Sequence, residues 1–224
     1  MYVIADVPKE ILTILDNVIR EKELSPLNAD LAGNIKNEFA IPKGKAAVSP
    51  MLMEMVIKHQ EKYPNFFKKA HSMLNYKACE IELFNLWVNF QKNHYARISG
   101  MHKSEQFHLE LHSLWVNYQK KHEFNPMHIH DGLYSFVIWH KVPYKMADER
   151  ARLPHMTDND FRAGMFAFFF SEPSGRISQE ALGVDNSWEG KVALFPASLN
   201  HCVYPFYTSD EYRISISGNI GFKI

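Results

Sequence analysis

Arg213-Ile214-Ser215-Ile216-Ser217 alternates polar and apolar residues without interruption. A period of two belongs to a β-strand, so Arg213, Ser215 and Ser217 share one face and the two isoleucines share the other. The isoleucine face needs a core. The polar face is either a solvated outer surface or the lining of a barrel, where polar groups surround water, a metal or a ligand. The stretch by itself leaves both open. Just upstream, Glu189–Pro196 reads as a short strand ended by its proline. The turn Ala197-Ser198-Leu199-Asn200 then delivers His201 to the start of Cys202-Val203-Tyr204.

Farther back, Asn125-Pro126 signals a turn ahead of His128-Ile129-His130-Asp131, and a β-prone run, Tyr134–Trp139, follows. In an extended chain His128 and His130 point the same way. The chain has 12 histidines in 224 residues, so such a pair alone says little. Its weight comes from company. Two imidazoles on one face, a third (His201) from a distant strand and coordination positions left over describe a first-row metal site built for chemistry. Arg213 and Ser215 offer paired donors suited to a carboxylate. The expectation is an iron site with a carboxylate co-substrate beside it.

The ordered set His128-x-His130, His201 and Arg213-x-Ser215 resembles the iron(II)/2-oxoglutarate-dependent oxygenases. Leu114–Lys121, Asn125–His130, Phe195–Ala197 and Arg213–Asn219 are similar in wording to a branch of 2OG-Fe(II) oxygenases found in marine phages and bacteria. The resemblance runs from about residue 108 to the C-terminus. It implies a dioxygenase, a hydroxylase that couples oxidative decarboxylation of 2-oxoglutarate to oxidation of an unidentified prime substrate. Fe(II) would be held by His128, His130 and His201, with Arg213 and Ser215 on the far carboxylate of 2-oxoglutarate. Dioxygen is the other co-substrate. In most of the wider superfamily the second ligand is a carboxylate, and here that place is taken by His130. Asp131 is one residue out of phase. It either orients a histidine by accepting its other N–H or, if a bulge re-aims it, replaces His130 as the ligand.

Two other readings remain at this stage. One is a cupin-like three-histidine metal dioxygenase that needs no 2-oxoglutarate; Arg213-x-Ser215 separates it from the first, since such an enzyme has no use for a carboxylate fork. The other is a non-catalytic jelly-roll binding or virion protein.

Composition narrows the setting. Twenty-five Lys+Arg balance 25 Asp+Glu, so no basic field argues for nucleic acid. No apolar run is long enough for a membrane span, and the start lacks the features of a signal peptide. Two cysteines, Cys79 and Cys202, are too few for a disulfide framework and favour a cytoplasmic location, the host's if the source is a phage. Cys202, turned away from His201's side, is expected in the core.

The fold expected is α+β: a double-stranded β-helix, or jelly-roll/cupin-like barrel, with an N-terminal helical layer. Residues 1–77 form that layer and 78–224 the oxygenase domain. Helical spacing of Ile11, Leu12, Leu15, Val18 and Ile19 predicts a helix over about 8–22, and Ser49-Pro50 starts a second that runs toward Lys62. Residues 24–48, punctuated by Pro26, Gly33, Pro42 and Gly44, read as mixed and loop-like. Met51, Met53 and Met55 are expected to pack. Strands are expected near 82–91, 108–119, 127–130, 134–142, 163–171, 190–195, 201–207 and 211–223. Residues 82–94 and 110–122 repeat, with nine of thirteen positions identical. This reads as a duplicated strand unit, and the metal site is not duplicated with it. His108, Glu110 and His112 read as a polar strand face.

Overall fold

The computed structural model describes residues 1–21, 24–27, 31, 33–66, 79–84, 87–92 and 106–222. In chain order the elements are β1 (Val3–Asp6), α1 (Lys9–Ile19), β2 (Ser25–Pro26), β3 (Asn37–Ala40), α2 (Ser49–Lys62), β4 (Cys79–Phe84), β5 (Trp87–Lys92) and β6 (Gln106–Gln119). There follow β7 (Asn125–His128), β8 (Tyr134–Lys141), α3 (Met146–Arg152), β9 (Phe166–Ser171), β10 (Ile177–Leu182), β11 (Lys191–Pro196), β12 (His201–Val203) and β13 (Arg213–Phe222).

The eight strands β6–β13 form two facing antiparallel sheets. The larger holds them in the order β11-β8-β13-β6, the smaller in the order β10-β9-β12-β7. The chain passes from one sheet to the other and back: β6 large, β7 small, β8 large, β9 and β10 small, β11 large, β12 small, β13 large. That path is a double-stranded β-helix. The N-terminal segment extends the large sheet at both ends, with β1 on β11 and β3 on β6.

Alternation along β13 sorts the two faces as expected. Ile214 and Ile216 face outward into a core with Val116, Ile138 and Leu194 of the large sheet and Leu15, Leu52, Met55 and Val56 of the helices. α1 begins after Pro8, whose fixed φ suits a helix start, and carries Glu10 in its first turn. It ends at Ile19, short of the expected residue 22. α2 occupies the expected span, but Ser49 is its first residue and makes no capping hydrogen bond. Met51, Met53 and Met55 are buried on it. Between the sheets lies a second core around Val137, Trp139, Phe166, Phe168, Phe195 and Phe206.

Several elements differ from expectation. Residues 82–91 are not one strand: β4 and β5 form a hairpin, with β5 pairing onto β6, and residues 85–86 lie outside the described set. The two copies of the repeat therefore adopt different structures, since the second copy stays in one strand, β6, as far as Gln119, with a bulge at His112. β10 and α3 were not anticipated. β10 is the edge of the small sheet and half-exposed along its length, which blurs its alternation. α3, at seven residues, is too short to show a helical period. β12 ends at Val203, two residues before Pro205 removes a ladder donor. The expected boundary at residue 77 falls in 67–78, outside the described residues. Cys202 is buried, as its place in the strand implied. No described helix is long and apolar enough to cross a membrane.

Candidate active site

His128 ends β7 and His201 opens the neighbouring β12, where the two are directly paired. The irregularity in this ladder places an extra residue on β7 between Asn125 and His128. Alternation beyond His128 is thus undisturbed: His130 turns inward beside it, while Ile129 and Asp131 are exposed. Gly132 then turns the chain into β8 with φ +98°; a Cβ there would meet the Ile220 carbonyl at 2.8 Å. Backbone hydrogen bonds from His130 to the Ala197 carbonyl (2.9 Å) and from Leu133 to the Ile220 carbonyl (2.8 Å) hold the turn.

One ring nitrogen from each of His128, His130 and His201 lies within 4.8 Å of the others. Among the described residues this is the one such group of three. The Nδ1–H of His128 donates to the Pro126 carbonyl at 2.7 Å, and that of His201 to the Leu199 carbonyl at 2.9 Å. In each case an acceptor two residues upstream fixes the tautomer and leaves the Nε2 lone pair pointing at the cluster. Burial pushes His201 down to about 3 and His130 to about 4, the proximity of His128 adding to both. Burial lowers His128 against the pull of the Pro126 carbonyl. All three are neutral near pH 7, the state a metal requires.

The Nε2 atoms of His130 and His201 are 3.2 Å apart. Adjacent ligands on an octahedral ion with bonds of about 2.1 Å stand about 3.0 Å apart. The residues fit a divalent metal ion. Phe166 stacks on His201 at 5.5 Å, Phe195 meets its edge at 4.8 Å, and Trp115 lies 5.5 Å from His130, so the site has apolar walls.

Arg213 faces the same cavity from the large sheet and is 3% exposed. Its Nε and Nη2 both donate to Gln119 Oε1, at 3.1 and 2.5 Å. Nη1 donates to the Tyr144 hydroxyl (2.6 Å) and the Gly164 carbonyl (3.1 Å), and Nη2 to the Tyr204 carbonyl (3.1 Å). All partners are neutral; among the described residues no carboxylate pairs with this buried cation. Gln119 Oε1 accepts the two donors as one carboxylate oxygen would, and the site fits an anion that displaces it. Ser215 lies two residues on along the same face, accepting from Asn117 Nδ2 at 3.2 Å, and Ser217 also lines the cavity.

The structure therefore brings His128, His130, His201, Arg213 and Ser215 to one cavity and leaves Asp131 outside it. His112 and Glu110, half-exposed and 4.0 Å apart, belong to another face. Sequence reasoning missed Gln119, Tyr144, Asn117 and Glu38. Gln119 and Asn117 had a signal, sharing the inward face of β6 with Trp115, opposite Arg213, Ser215 and Ser217 in register. Tyr144 and Glu38 sit in segments with no periodicity to betray them.

Residues 113–219, just under half of the chain, match the family described as "Putative 2OG-Fe(II) oxygenase". No curated protein matches the chain. Among solved structures, a Pseudomonas putida prolyl-4-hydroxylase is similar at 13% identity, covering 100% of this chain and 93% of its own, with a TM-score of 0.47. A Trichoplax adhaerens prolyl hydroxylase, in complex with a hypoxia inducible factor peptide, is similar at 11% identity over 99% of this chain and 82% of its own, TM-score 0.44. A Burkholderia pseudomallei oxidoreductase of the 2OG-Fe(II) oxygenase family gives 16% identity over 57% of this chain and 48% of its own, TM-score 0.34. The matched stretch carries the whole histidine cluster and Arg213, and it is similar to the 2OG-Fe(II) oxygenases, which implies an enzyme that uses Fe(II) and 2-oxoglutarate.

Proposed function

We propose that the protein is a hydroxylase in which His128, His130 and His201 hold Fe(II), and Arg213 with Ser215 anchors the far carboxylate of 2-oxoglutarate. The observation that carries this reading is a cluster of three neutral imidazoles facing one cavity with a buried arginine that, among the described residues, has no anionic partner. In this reading Asp131, exposed at the start of the turn, takes no part as a ligand. Bound iron with 2-oxoglutarate and dioxygen supplies the oxidising chemistry.

The chain's own residues do the rest. His128 and His201 present Nε2 because backbone carbonyls hold their Nδ1 protons. The planar fork of Arg213 exchanges the neutral Gln119 oxygen for the co-substrate's carboxylate. Tyr144, which donates to the Gly164 carbonyl, keeps that guanidinium aimed, stacked in turn on Phe206. Phe166, Phe195 and Trp115 exclude bulk water from the ligand cluster. Buried free Cys202 agrees with a reducing, cytoplasmic setting.

The test is succinate formed per 2-oxoglutarate consumed, with and without Fe(II). Turnover that requires iron, and that His201→Ala abolishes together with stoichiometric iron binding, supports the reading. A wild-type protein that binds iron but has no affinity for 2-oxoglutarate at millimolar levels contradicts it. The ligand assignment has its own test: if Asp131→Asn loses iron while His130→Ala keeps it, Asp131 is the ligand.

A further inference from the structure

Glu38 is an acid in an unusual place. β3 pairs with β6 so that Glu38 stands directly opposite Asn117, and Asn117 opposite Ser215 on β13. Residues directly opposed in an antiparallel pair project to one face, here the cavity that also holds His128 and Arg213. Glu38 is 2% exposed, and among the described residues its Oε1 has no hydrogen-bond partner. Asn117, also buried, donates through Nδ2 to Ser215 Oγ, which fixes the amide and leaves Oδ1 equally unpartnered. Two buried acceptors thus stand side by side without a donor. The buried cation of the same sheet does not serve them, because its N–H groups go to Gln119, Tyr144 and two backbone carbonyls.

We propose that Glu38 and Asn117 form the recognition point for the oxidised substrate, and that this substrate presents a cationic nitrogen, an amine or a guanidine, to them. The proposal rests on the reading of the cavity as an oxygenase active site. A donor-only cation satisfies both acceptors and the carboxylate charge together. The polar face then has two poles on opposite sides of β6's inward row: Arg213 for an anion and Glu38 for a cation. Leu31 and Ile35 line the cavity beside Glu38, so the nitrogen arrives on an apolar stem. This part of the wall is anchored just before β7, where the Asn34 N–H donates to the Phe124 carbonyl at 2.8 Å. Burial, with the field of Glu123, pushes the Glu38 carboxyl up to about 7, the mark of an acid still lacking its counter-charge.

The experiment is calorimetry on the anaerobic protein supplied with Fe(II) and 2-oxoglutarate. The probes are the Nα-acetyl amides of lysine and arginine against their neutral counterparts, the Nα-acetyl amides of norleucine and citrulline. The expected result is that at least one cationic probe binds about tenfold or more tighter than its neutral counterpart. Glu38→Gln, close to isosteric, should erase that preference. The wild-type comparison holds even if the variant does not fold. Equal affinity for charged and neutral probes, no binding of either cation at millimolar levels, or a preference that survives in Glu38→Gln overturns the proposal. The visible charge-transfer band of the Fe(II)–2-oxoglutarate complex reports separately on the oxygenase reading. A band without cation preference removes only the substrate class, and cation preference without a band removes the oxygenase.

Discussion

The two faces of the large sheet are built from the same strands and do opposite things. On the outer face Ile214, Ile216, Val116 and Ile138 join the helices in an apolar core. On the inner face, one residue over along the same strands, Arg213, Ser215, Ser217, Asn117 and Gln119 line a cavity opposite three histidines. The outer face repays burial in water excluded from hydrocarbon; the inner face spends some of that stability on polar groups held ready for ligands. Stability and function are thus separated by the pleat alone. Substitutions on alternate residues of β13 should fall into two classes with little overlap.

The loss of stability belongs to the outer face. Ile216 is fully buried, and Ile216→Ala should cost about 2–5 kcal/mol of stability, read by urea denaturation. Iron and 2-oxoglutarate binding by the protein that remains folded should be unchanged. A stability loss well under 1 kcal/mol (roughly) would mean that the helices do not depend on this face.

On the inner face Arg213→Ala should weaken 2-oxoglutarate by about 2–5 kcal/mol, on the order of thirty- to several-thousand-fold, with Fe(II) binding near wild type. Equilibrium titration of each ligand checks both halves. Iron and 2-oxoglutarate failing together would show instead that Arg213 supports the whole cavity. Ser215→Ala, removing one neutral hydroxyl, should cost the same ligand about 1 kcal/mol. A loss as large as that of Arg213→Ala would move the main anchor to Ser215.

A further effect is one of pH. Glu38 holds its proton more tightly in the folded protein, to about 7, than in the unfolded chain, near its ordinary 4.5. The native state therefore binds more protons across that window, and stability falls as pH rises through it, the penalty being complete above the folded value. Glu38→Gln removes this dependence. Wild type should lose stability relative to the variant between about pH 5 and 8, as measured by urea denaturation at several pH values. The depressed histidines are common to both proteins and cancel. A constant difference at every pH would mean that Glu38 is not held as a neutral acid.

Much of this contrast was legible in the sequence, because alternation is a local property. Arg213, Ser215 and Ser217 declared one face, and the spacing of His128 and His130 survived because the ladder irregularity falls before His128. What stayed hidden depends on partners distant in sequence. Glu38 sits on a four-residue strand inside a segment broken by prolines and glycines, and only pairing with β6 gives it a face. Tyr144 reaches Arg213 from the segment after β8, a contact that no spacing predicts. The repeat misled in the opposite direction. Near-identical residues became a hairpin in one copy and a single, bulged strand in the other, since neighbours in the sheet decide where strands end.

The central claim is that one cavity holds both a three-histidine metal and a carboxylate co-substrate on Arg213. The most direct measurement is the visible spectrum of the anaerobic protein with Fe(II) as 2-oxoglutarate is added. The account predicts a metal-to-ligand charge-transfer band that saturates with 2-oxoglutarate, is absent in His201→Ala, and needs far more 2-oxoglutarate in Arg213→Ala. Iron bound with no such band at any 2-oxoglutarate concentration would contradict it.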